Sequence, residues 1–103
     1  ACVVLATTRL DVNNRVRKLM GVRKASFAPA DVTAELTGML IGGVTPFALP
    51  PDLPIYIDAR IIDLDWVIVG GGSRSLKLRV APNTLAALPG AEVIEDLATA
   101  TAN

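Results

Sequence analysis

Four prolines, Pro46, Pro50, Pro51 and Pro54, fall within nine residues near the middle of a 103-residue chain, just after the glycine pair Gly42-Gly43. Proline fixes φ, lacks an amide hydrogen and drives the residue before it out of the helical region. Neither a regular helix nor a central strand can run through residues 46–54. This stretch is predicted to be an extended, rigid surface segment, and the core must be built from what lies on either side of it.

On the N-terminal side, residues 2–6 are a continuous apolar run of strand length and predict a central strand. A helix is predicted next: Asp11 is a candidate cap, Val12, Val16, Leu19 and Met20 recur at helical spacing, and Gly21 stands where a C-terminal glycine belongs. Residues 22–27 read as a weaker strand. Pro29 suits the first turn of a helix through Thr37, closed by Gly38. Beyond the prolines, "IYIDARII" predicts a third strand, "WVIVGGG" a fourth, and the alternating "LKLRV" a fifth with Lys77 and Arg79 outward. Pro82 starts a short helix, and residues 91–96 close with a strand or its remnant. Because helices separate some strands and not others, a mixed sheet is predicted, in an α+β or partly closed, barrel-like curled arrangement with short flanking helices. Residues 1–97 are expected to form one domain and 98–103 a frayed tail. The abrupt apolar start, "ACVVLA", reads as a domain whose N-terminal part is missing.

Composition narrows the chemistry. The apolar fraction is 51% and charged residues make up 19%, a globular balance whose apolar runs are too short to span a bilayer. With no legible signal peptide and one cysteine, Cys2, a cytoplasmic protein without internal disulfides is expected. Ten basic and ten acidic residues cancel, which argues against DNA as a partner. The first 24 residues nevertheless carry six cations, Arg9, Arg15, Arg17, Lys18, Arg23 and Lys24, against Asp11 alone. Histidine is absent, removing the usual general base and every Ser-His-Asp or Cys-His arrangement. No metal site or cofactor is expected.

A catalytic centre here would have to be built from backbone. In "GGVTPF", Gly42 and Gly43 let amide groups approach a ligand, Val44 and Thr45 follow, and Pro46 stiffens the far side; an ordinary packing turn is the alternative. "GGGSRS" follows a strand but leads into another strand, so it lacks the helix that a dinucleotide loop requires and reads as a hairpin with Arg74 at its tip. Asp58, flanked by apolar residues, demands hydrogen-bond donors and is assigned to support of the glycine-proline loop. Trp66 and Tyr56 are core or pocket wall.

The order of "TGMLIGGVTPFALPPDLPIYIDARI" and "VIVGGGSRSLKLRVAPNTLAAL" resembles the YbaK family of aminoacyl-tRNA deacylases and the related editing domain of bacterial-type prolyl-tRNA synthetases. The resemblance implies hydrolysis of the ester of mischarged tRNA, commonly tRNA for proline bearing alanine or cysteine, with the tRNA acceptor end and a synthetase or tRNA complex as partners. It implies a backbone scaffold at Gly42, Gly43, Val44, Thr45 and Pro46, supported by Asp58, and a glycine at Gly71 or Gly72 beside the substrate. Arg74, Arg15, Lys18 and Lys24 are assigned to the tRNA end from their charge. The family's lysine in its first strand has no counterpart in "ACVVLA"; its position falls on Ala1 or just before. A noncatalytic tRNA-binding or protein-interaction domain of the same fold is the alternative.

Overall fold

The computed structural model describes residues 1–40, 43–50, 52–73 and 75–100. Its elements are β1 (Cys2–Val3), β2 (Thr8–Leu10), a π-helical turn (Val12–Val16) running into α1 (Arg17–Met20), α2 (Ala30–Thr37), β3 (Ile55–Asp58), α3 (Ala59–Ile62), β4 (Val67–Gly70), β5 (Lys77–Val80), α4 (Pro82–Ala86), β6 (Ala91–Ile94) and β7 (Ala98–Ala100).

The strand at the centre is β3. It pairs in parallel with β1, Val3 opposite Ile57, and with β6, Ile57 opposite Val93, in a three-stranded sheet ordered β1-β3-β6. Parallel strands need both faces covered, and alternation along β3 supplies two apolar faces. Ile55 and Ile57 join Ile61 and Leu85 in one buried cluster, onto which Val67, Val69 and Val80 pack from β4 and β5. Tyr56 points the other way, to a second cluster of Val16, Ile94 and Leu97.

The α+β class holds, but the curled, barrel-like mixed sheet does not. Among the described residues there are three separate open sheets: the parallel one, the antiparallel pair β2-β7 and the antiparallel hairpin β4-β5. β1 and β4 belong to different sheets, and a cavity of about 320 Å³ lined by Val3–Ala6 and by Trp66–Val69 lies where a ladder between them would close the seam.

Other expectations change for local reasons. The apolar run 2–6 pairs only over Cys2–Val3, at an edge, because the chain turns where the Thr8 amide and hydroxyl both donate to the Leu5 carbonyl at 2.9 and 2.7 Å. Asp11 makes no side-chain cap; its carbonyl instead accepts from the Val16 amide, which opens the wider π turn. Residues 22–27 have no ladder partner among the described residues and are largely exposed. The predicted strand "IYIDARII" ends at Asp58, whose Oδ1 accepts from the Arg60 amide at 2.9 Å and turns the chain into α3. Where a frayed tail was expected, residues 98–100 pair with β2, Leu10 opposite Ala98. Gly21 and Gly38 do close their helices, in left-handed conformation with φ of 66° and 72°.

Candidate active site

The glycine-proline loop follows from short-range bonds that use up particular amides. Gly43 is buried and its N–H donates to the Leu40 carbonyl at 2.9 Å. Thr45 is 6% exposed, and its hydroxyl accepts from the Phe47 amide at 3.4 Å, closing a small turn around Pro46. Ala48 completes the reversal with φ of 60°. Val44 stays on the surface.

The loop is seated on β4. An added Cβ at Gly70 would fall on the Val44 carbonyl oxygen and lie 3.1 Å from the Val44 carbonyl carbon, so only glycine lets the strand end touch the loop backbone. Sequence places Gly70 only at the head of "GGGSRS" and assigns the substrate-side glycine to Gly71 or Gly72. Those make the hairpin turn: Gly71 donates to the Leu76 carbonyl at 3.0 Å, an added Cβ there would lie 2.6 Å from Leu76 Cγ, and Gly72 has φ of 99°. The available signal was that Gly70 is the last residue of an apolar strand pattern, where a glycine weakens pairing unless another backbone approaches.

Val44, Thr45 and Pro46 open onto a cavity of about 390 Å³ whose other walls are Ala1–Val4, Leu49 and Ile68–Gly70. A second, of about 410 Å³, lies across Val44 and Leu49 and is lined by Phe27 and by Thr33, Leu36 and Thr37 of α2. Among the described residues, the lining of the first has no carboxylate and no cationic side chain. The titratable side chain among them is Cys2, where burial pushes the thiol pKa up and makes the sulfur a poorer nucleophile. Among the described residues no group of three His, Cys, Asp or Glu side chains could hold a metal ion.

The remaining predicted residues sit elsewhere. Asp58 is fully buried and bonds away from the loop: Oδ2 accepts from the Arg60 guanidinium and from the Ala98 amide, each at 3.0 Å, while the same guanidinium donates to the Ala98 carbonyl at 2.6 Å. The carboxylate therefore locks β7 to β3; the loop-latching expectation does not match these partners. Arg15 donates from Nε to the Glu95 carbonyl at 3.2 Å. Lys18 and Lys24 are exposed and line neither loop cavity. Gly42 and Arg74 lie outside the described residues.

Residues 1–88 match the family described as the aminoacyl-tRNA editing domain. The chain belongs to that family. Among solved structures this editing domain resembles the hypothetical protein APE2540, with 34% identity and a TM-score of 0.84, covering 95% of this chain and 63% of that one. It also resembles a putative trans-editing enzyme for prolyl tRNA synthetase, with 31% identity and a TM-score of 0.84, covering 97% of this chain and 61% of that one. The uncharacterized protein YwhH of Bacillus subtilis (strain 168) is 33% identical over 73 residues, which are 71% of this chain and 46% of YwhH. The editing domain thus spans about half the length of YwhH and under two thirds of the two structures.

Proposed function

We propose that this editing domain hydrolyses the ester linking a wrong amino acid to tRNA, and that its substrate is tRNA for proline bearing alanine or cysteine. The observation that carries this is the seating of the Gly43–Pro46 backbone on Gly70 at the mouth of a cavity whose described lining is apolar side chains and backbone, with Thr45 and Cys2. Such a lining acts through placed dipoles and positioning. Water attacks the ester carbonyl carbon, the bond to the ribose oxygen breaks, and that oxygen leaves with a proton as the terminal hydroxyl. The developing oxyanion needs donors. Gly43 has given its amide to Leu40, Pro46 has none, and that of Phe47 is held by Thr45, so among the described loop residues the Val44 and Thr45 amides are assigned as oxyanion donors. The neighbouring ribose hydroxyl, positioned by the loop, helps carry the proton that the absent histidine would have taken.

The walls suit a small amino acid. Apolar pockets discriminate weakly against smaller side chains during activation, so an error must be destroyed at a second site. Lys18 and Lys24 are assigned to the tRNA backbone, with Arg74 and the Gly71-Gly72 turn near its acceptor end; Arg15, tied to Glu95, contributes its remaining donors. A cytoplasmic partner synthetase would reclaim the freed tRNA. Among the described residues no helix is long and apolar enough to cross a membrane.

The test incubates the full-length protein with alanyl-, cysteinyl- and prolyl-tRNA for proline and follows loss of the ester. Alanyl- or cysteinyl-tRNA should be cleared well above the buffer rate and prolyl-tRNA spared. Rates equal to buffer for all three, with tRNA still bound, would replace the hydrolase by a binding module that has kept the fold.

A further inference from the structure

The outer face of the β4-β5 hairpin is not used by the core. Side chains alternate along β4, so Val67 and Val69 face the buried cluster while Trp66, Ile68 and Gly70 share the opposite face. Register puts Arg79 opposite Ile68 and Lys77 opposite Gly70, bringing two cations onto that same face. Trp66 is 56% exposed and Ile68 71%, and the Arg79 guanidinium lies 4.7 Å from the Trp66 ring centroid.

This face is continuous with the candidate active site. Its Gly70 end touches the Val44 carbonyl, and the cavity beside Trp66 shares Val3, Val4, Ile68 and Val69 with the cavity at the loop. From Gly70 back to Trp66 is four residues of strand, about 13 Å, the span of a few nucleotides of single strand.

We infer that this face is the track for the single-stranded acceptor end of the tRNA, with a base stacked on Trp66 and Arg79 and Lys77 directed to phosphates. The inference rests on the deacylase reading for the position of the ester. An exposed ring and cations on one sheet face match the chemistry of single-stranded RNA, because every base offers a π-face and every linkage a negative charge. Arginine serves both, by stacking its plane and by forking onto phosphate. A purely apolar partner would bury the Arg79 guanidinium against it without a counter-charge.

Trp66 is the chain's only tryptophan, so its fluorescence reports on this face directly. Titration of the full chain with uncharged tRNA should quench the emission, and tRNA trimmed of its unpaired 3′ nucleotides should not. Trp66→Ala should weaken tRNA binding and raise KM roughly ten- to hundredfold with kcat retained, and Trp66→Phe should restore most of the loss. Far-UV circular dichroism of both variants checks that each is folded. Deacylation by wild type with emission unmoved at saturating tRNA, and KM unchanged in Trp66→Ala, would overturn the track while leaving the hydrolase standing. Quenching without deacylation would support the track and remove the hydrolase. Emission that follows protein concentration and not RNA, with a dimer in sedimentation, would also overturn it and give the face to a second copy of the chain.

Discussion

Gly70 makes a closer backbone approach than any other glycine whose surroundings are described, and it does so at the loop. Gly70→Ala places a methyl on the Val44 carbonyl, and strand or loop must shift by a sizeable fraction of an ångström. Overpacking of this kind costs about 1–3 kcal/mol, while displacement of catalytic groups by about 1 Å can cost a hundredfold in rate. We expect deacylation by the folded variant to fall by more than roughly tenfold, a larger loss than its unfolded fraction explains. Activity per folded molecule, with folding followed by thermal melts, checks this; equal proportional losses would make Gly70 a packing residue only. Gly71→Ala would press on Leu76 within the hairpin turn and not on the loop, so it should cost stability and be milder in rate.

At the scale of elements, Asp58 decides where three of them meet. It ends β3, caps α3 and accepts from the amide of the first residue of β7, Ala98, whose carbonyl accepts from Arg60. Asp58→Asn would turn one acceptor into a donor facing donors. A loss of about 2–4 kcal/mol is expected, toward the lower end because the Arg60 side chain is 42% exposed and stays hydrated. Urea unfolding measures it, and hydrogen exchange at the Ala98 amide should accelerate in parallel. An unchanged midpoint with an already unprotected Ala98 amide in the wild type would return β7 to a frayed tail. Most helices and the later strands were legible because their signals are local: left-handed glycines after α1 and α2, Pro82 at the start of α4, alternation in β5. β2 and β7 were not, since each is three residues long and exists only because the other stands opposite.

For the whole molecule, one strand joins two cores. Ile57 is fully buried on one face of β3 and Tyr56 serves the cluster on the other, so the two cannot melt separately. Ile57→Ala should cost about 2–5 kcal/mol, a large share of the stability of a domain this size. Near- and far-UV circular dichroism should still lose signal in one coincident transition; two transitions would mean the clusters are independent. What sequence by itself determined was the α+β class, the break in regular structure at the prolines and the family, because these depend on residue type and order. Tertiary structure decided that β1 and β4 stand apart across a cavity, that Gly70 carries the loop and that Asp58 serves β7. It also left the only tryptophan outside the core. Each of these is set by which groups from distant parts of the chain meet, and backbone donors and acceptors that are alike at every residue but proline carry no mark of their partner until the chain has folded.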